Sequence, residues 1–239
     1  MLQAKALWDS GQIARAAAIY DGIAEKDSGD PLGPEALYLS ASLHAFYLNA
    51  PAAGAERFSR LISLHAGFSK TDQARLHLGA LYLGPLQKPA AAVAVYRDLT
   101  DHGASDALRE EGEYRLGQAY AALGKPDLAR QEWRTLLGRY HDGRWVEKAR
   151  LEIAASLDRE QKTIEALNAY QNFVTDYPDS PYKADAHISI ADCLERLDRP
   201  QEALALLKMI RKDAPNPDVI EVRIGRLEKR LRVLALIKR

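Results

Sequence analysis

The sequence predicts an all-α fold, an α-solenoid of antiparallel helix pairs, and three observations carry that expectation. An alanine recurs every 37 residues along most of the chain. Large, mostly apolar residues follow it at i+4 and i+7, the spacing of one helical face. Short turns rich in Gly, Pro, Asn and Asp separate the segments.

Composition agrees. Four Phe and three Trp against eleven Tyr, with abundant Ala and Leu, suit helices in close contact better than a β-sandwich. The 239 residues balance 33 Lys+Arg against 33 Asp+Glu, so bulk attraction to nucleic acid or an anionic membrane is not expected. Charge is uneven: residues 1–103 hold 19 charged side chains and 104–239 hold 47. A single cysteine excludes an internal disulfide and a cysteine-rich metal site. No apolar run reaches the roughly 18 residues of a membrane span, and Met1–Ser10 lacks the basic and apolar regions of a secretory signal.

In order along the chain, the alanine and its followers are Ala16, Tyr20, Ile23; Ala55, Ser59, Ile62; Ala92, Tyr96, Leu99; Ala129, Trp133, Leu136; Ala166, Tyr170, Phe173; and Ala203, Leu207, Ile210. The six repeats fall near 1–29, 30–67, 68–104, 105–141, 142–178 and 179–215. Counting back from Ala16 puts the start of its partner helix before Met1, so the chain is expected to begin inside a repeat. Each partner helix has its own stripe: Tyr114, Leu116, Gly117, Tyr120, Leu123 in the fourth repeat, and Ile188, Ile190, Ala191, Leu194, Leu197 in the sixth. Gly84 and Pro85 in the third predict a kink or a wider turn. Ser180 is expected to cap a helix with Pro181 at its first position.

Residues 216–239 predict a final capping helix, from Asn216 or Asp218 to about Leu236, with Val219, Val222, Ile224, Leu227, Leu231 and Leu234 partly on one stripe. From 221 onward it carries seven Lys/Arg against two Glu. Arg223, Arg226, Lys229, Arg230 and Arg232 form a basic patch, read either as a solvated outer face or as a contact for an acidic partner or anionic lipid surface. The segment has no aromatic residue on which a base would stack, so no nucleic-acid partner is expected.

Leu116-Gly117-x-x-Tyr120, followed by Gly124, Ala129 and Trp133, resembles a tetratricopeptide repeat, and Pro178 and Pro215 supply the closing prolines of two further copies. The resemblance covers residues 1–215. It implies a right-handed solenoid whose first helices line a concave groove for a peptide or partner helix. The longer period, with Tyr177-Pro178-Asp179-Ser180-Pro181 between repeats, is similar to repeats of bacterial cell-envelope proteins of the Tol–Pal and outer-membrane assembly systems. That similarity implies the periplasm or cell envelope, with the cytoplasm as the alternative. Two other readings stay open: a module of a larger protein whose activity lies elsewhere, and a scaffold that self-associates through its ends instead of staying monomeric.

Groove residues expected on this basis are His44, Tyr47, Glu111, Tyr114 and Gln118, then Lys148, Arg159, Asp185, Asp192, Glu195 and Arg196. Each also fits an ordinary solvated helix face. Tyr47 and Tyr114 are the expected anchors, since exposed tyrosines give contact area at low entropic cost. The family's carboxylate clamp is absent, because its places hold Ser40, His44, Tyr114, Gln118, Leu151 and Ala155.

No catalytic or metal-binding motif occurs, and no enzyme, metal or cofactor is expected. The six histidines are scattered, Cys193 reads as a packed small residue, and Asp106 with Glu110 and Glu111 reads as a helix-start cluster.

Overall fold

The computed structural model describes residues 1–26, 31–212 and 214–237. Its regular structure is thirteen α-helices, with no strand among the described residues. The repeats appear as the pairs α1 (Leu2–Asp9) and α2 (Ile13–Lys26), α3 (Gly33–Phe46) and α4 (Pro51–Leu64), α5 (Thr71–Leu83) and α6 (Pro89–His102). The pairs α7 (Asp106–Ala122) and α8 (Pro126–Arg139), α9 (Val146–Arg159) and α10 (Thr163–Asp176), α11 (Lys183–Arg196) and α12 (Pro200–Ile210) follow, then the single helix α13 (Pro217–Ile237). The chain divides into two compact bodies, Met1–Glu132 and Trp133–Arg239. Within the N-terminal body each helix from α1 to α7 packs on the next, and within the C-terminal body each from α9 to α13 does.

One backbone device joins each pair. Two residues before every second helix stands a residue with positive φ: Gly11 (79°), Asn49 (50°), Gln87 (50°), Gly124 (72°), Gln161 (61°) and Asp198 (54°). The following N–H folds back onto the first helix, as in Lys125 N–H to Tyr120 O (2.9 Å), Lys162 N–H to Leu157 O (3.0 Å) and Arg199 N–H to Leu194 O (2.9 Å). These bonds satisfy carbonyls that a helix end otherwise leaves open. Proline at the first position of α4, α6, α8 and α12 gives up no useful N–H.

The turns differ in length, and this corrects the register of the second pair. Residues 47–50 and 84–88 occupy these joints, against 123–125 in the fourth pair. The steps between equivalent positions are therefore 38 residues from Ala16 to Gly54 and from Gly54 to Ala92, and 37 thereafter. The small residue of α4 is Gly54, not Ala55, and a Cβ there would lie 2.6 Å from that of Ala45. The apolar followers are Phe58 and Leu61, both fully buried, whereas Ser59 is exposed and Ile62 half-buried. The added length at 84–88 is the wider turn expected of Gly84 and Pro85, and α5 simply stops at Leu83.

A second series of small residues runs along the first helices: Ala4, Ala41, Gly79, Gly117, Ala154 and Ala191, all buried. Tyr96 of α6 fills the space that Gly79 leaves. Phe58 and Tyr96 are wholly buried, each contributing about 1.5–3 kcal/mol by removal of apolar area from water.

Two end details also depart from the sequence reading. Ser180 does not cap α11, which begins at Lys183; its Oγ accepts from the Tyr182 N–H (3.1 Å) and donates to Glu147 (2.6 Å), fixing the turn instead. In α13 the buried stripe is Ile220, Ile224 and Leu227, while Val219 and Val222 face water. Glu110 lies in the second turn of α7 and is buried, so the helix-start cluster reduces to Asp106.

Candidate functional site

Because the joints of the second and third pairs each add one residue, Ala41 of α3 lies 76 residues before Gly117 and not 74, so α3 presents a different face from the one the 37-residue count implies. His44 turns inward. It shares Asp21 of α2 with Ser40 and Arg57: Arg57 donates from Nε (2.8 Å) and Nη2 (3.0 Å), Ser40 from its hydroxyl, and His44 Nε2 lies 3.2 Å away. Burial alone pushes the Asp21 carboxyl up, but hydrogen bonds from Arg57, Ser40 and His44 outweigh it and hold the group at about 2. This cluster ties three helices together, so His44 is a structural residue.

What α3 and α5 do present is an aromatic cluster of Tyr38, Phe46 and His77, with Phe58 of α4 beneath. The His77 ring lies 5.2 Å from Phe46, edge to face, and 5.5 Å from Phe58. Tyr38 Oη is 3.2 Å and Gln73 Nε2 3.4 Å from His77 Nε2. Lys70 stands over the Tyr38 ring at 5.1 Å while bonded to Glu35 at 2.6 Å. Burial pushes the His77 imidazole below its ordinary range, against an opposing pull from the Glu111 carboxylate, so the ring is neutral at pH 7. Phe46, on top of this cluster, is 50% exposed. Next to it in sequence, Tyr47 is 58% exposed and meets Trp8 of α1 edge to face at 5.7 Å. The result is an aromatic surface with one amide and one ion pair at its rim, equipped for contact.

Tyr38, Phe46, Gln73 and His77 were not among the residues read from the sequence. The misfit of Ser59, a small polar residue where a large one belongs, was the available signal for the shifted register.

Of the other expected groove residues in the N-terminal body, Tyr114 is only 6% exposed, and its hydroxyl accepts from Gln118 Nε2 at 3.1 Å. It belongs to the stripe that packs α7 and is not an exposed anchor. Glu111 accepts from Arg115 at 3.3 Å.

In the C-terminal body the expected groove residues are largely engaged with one another's neighbours. Arg196 donates to Asp158 of α9. Arg223 of α13 donates to Asp192 (2.6 Å) and Glu195 (2.7 Å) of α11, Arg226 to Glu195 (3.1 Å) and Arg230 to Asp198 (2.8 Å). Three members of the basic patch, Arg223, Arg226 and Arg230, thus fasten the cap. Lys229 and Arg232 remain exposed, and the Lys238 and Arg239 counted with them lie outside the described residues. Lys148 sits 4.7 Å from the Trp145 ring and 5.9 Å from that of Tyr182. Arg159 is exposed, 3.7 Å from Glu152, and Asp185 faces water at the start of α11. Cys193 is buried; burial pushes its thiol up, which keeps it unreactive.

Among the described residues no group of His, Cys, Asp and Glu is arranged to hold a metal ion, and no helix is long and apolar enough to cross a membrane.

Models of the tetratricopeptide repeat match residues 1–45, 111–142 and 159–223, together more than half of the chain. No curated protein matches the sequence. A tetratricopeptide repeat protein from Parabacteroides merdae ATCC 43184 superimposes with a TM-score of 0.65 at 15% identity, over 96% of this chain and 84% of that one. PilW, a widely conserved type IV pilus biogenesis factor, gives 0.63 at 15% identity over 92% and 94%. YrrB, a tetratricopeptide repeat protein with an unusual peptide-binding site, gives 0.58 at 17% identity over 85% and 96%. At these identities the likeness is one of fold.

Proposed function

The chain belongs to the tetratricopeptide repeat family, and from that premise we propose a non-enzymatic interaction scaffold that holds a partner segment on the α3–α5 face. The observation that carries the reading is Phe46: half in water, packed edge to face on the half-buried His77 ring above the buried Phe58, which leaves it little freedom to hide. Such a rigid aromatic platform offers contact area without ordering cost. Apolar side chains of a peptide or partner helix fit Phe46 and Tyr47, and the Gln73 amide at the rim suits a backbone carbonyl. We assign the complex to the bacterial cell envelope; the long repeat and the fold shared with PilW support that assignment.

The test compares immobilised wild-type chain with a Phe46→Ala/Tyr47→Ala variant for partners captured from a bacterial envelope fraction. Both side chains are exposed, so the variant keeps its fold, checked by circular dichroism. A partner held by the wild type and by an Asp185→Asn control, but lost from the double variant, is the expected result. Equal capture by all three overturns the reading.

A further inference from the structure

The last two turns of α13 stand out from the body that anchors the helix. Its seam runs Ile220, Ile224, Leu227, Leu231, Leu234, a 4-3-4-3 spacing that keeps one face inward. The first three residues are buried against α11 and α12, Leu231 is half-buried, and Leu234 is already 36% exposed. The ion pairs stop with Arg230, bound to Asp198 just past the end of α11.

Past Arg232 no polar side chain follows among the described residues of the helix. Val233, Leu234, Ala235 and Leu236 are consecutive, and at 100° per residue they point in every direction around the axis. All four are exposed, Leu236 to 71%. Just before them, Lys229 and Arg232 are exposed and hydrogen-bond to no carboxylate among the described residues. A helical turn apolar on all sides calls for cover all round, more than a single partner helix packed against one stripe gives. Pairing with a second copy of the same segment brings like charges together at 229 and 232. An anionic bilayer surface meets both demands: its headgroups match the exposed cations and its acyl boundary surrounds the apolar turn on every side.

We propose that residues 229–236 of α13 form an anionic-lipid docking segment, an apolar turn beside the exposed cations Lys229 and Arg232, by which the C-terminal body attaches peripherally to a membrane.

The test sediments the full chain with vesicles of phosphatidylglycerol mixed into phosphatidylcholine, and with phosphatidylcholine alone. Binding is expected only to the anionic vesicles and to weaken with added salt. Leu234→Glu/Leu236→Glu and Lys229→Glu/Arg232→Glu should each lower the apparent affinity by about tenfold or more. Met209→Glu, at an exposed apolar position on α12, should leave it unchanged. Because the fully buried contacts of α13 end at Leu227, both double variants should keep the wild-type melting temperature. Absence of vesicle binding, equal binding to neutral vesicles, or variants that bind like the wild type overturns the proposal. Concentration-dependent self-association that the variants abolish, without vesicle binding, identifies a second copy as the occupant and overturns it too.

Discussion

The Tyr96 ring fills the space that a side chain on Gly79 would need, its nearest carbon 2.4 Å from where a Cβ would stand. Helices α5 and α6 therefore approach each other as closely as a bare backbone permits. Gly79→Ala is expected to cost about 1–3 kcal/mol by overpacking, despite alanine's better helix propensity. Gly22, inside α2, has nothing within 4 Å of its would-be Cβ. Gly22→Ala should raise stability by about 0.5–1 kcal/mol. Urea unfolding of both variants separates the two effects, and equal shifts would exclude the close contact as the reason for glycine at 79.

Gln161 makes the same turn as Gly124 with a side chain in the left-handed region, at φ 61°. Gln161→Gly should relieve that strain and stabilise the protein by about 0.5–1 kcal/mol, while Gly124→Ala should destabilise by roughly 1 kcal/mol. Thermal melts of the pair should move in opposite directions. A shift of the same sign in both contradicts the shared turn geometry.

Asp21 makes stability depend on acid. Its folded-state value near 2 lies below the unfolded value of about 3.9, so the folded form favours the carboxylate. The contribution, about 2 kcal/mol, is complete above roughly pH 5 and is lost as the pH falls through 3.9 towards 2. Asp21→Asn should destabilise the neutral-pH protein by about that amount and flatten this part of the stability profile. Denaturant titrations between pH 2 and pH 6 check the sign, and a parallel profile for the variant counts against it.

Arg223 latches α13 by bridging two carboxylates of α11, with only 16% of its side chain exposed. Arg223→Ala removes the cation that bridges Asp192 and Glu195, leaving Glu195 to Arg226 alone. The expected loss is about 1–2 kcal/mol, felt mainly as faster amide exchange across residues 220–230. Exchange spread evenly over the chain would argue that the latch is not local.

The repeat, its helix pairs and the capping helix were legible in the sequence because each rests on local spacing. The left-handed residues at 87, 161 and 198 were not, since Gln and Asp do not advertise that conformation as Gly124 does. The register of α4 was obscured by its own composition. Alanines at 52, 53 and 55 let a fixed period land on a plausible residue, and only the burial of Phe58 with the exposure of Ser59 identifies Gly54 as the equivalent. The two residues added at the joints 47–50 and 84–88 moved the candidate site from His44 to Phe46 and His77. In the C-terminal body the sequence marked the right charges but not their mutual engagement, because ion pairs such as Arg223 with Asp192 join residues 31 apart.

The recurring left-handed residue has a consequence for how the chain can change length. The segment from Lys162 to Asp198 starts just after one such residue and stops on the next, and it contains one second helix and one first helix with their connecting turn. Tandem duplication of that segment sets a left-handed residue at each new junction, followed by the same lysine whose N–H closes the turn. Growth or loss by one whole period then requires no new turn chemistry, whereas a single added residue is absorbed only by widening a joint, as Ala50 N–H to His44 O (3.0 Å) and Lys88 N–H to Tyr82 O (2.6 Å) do. Large indels among descendants of this chain should come in steps of the period.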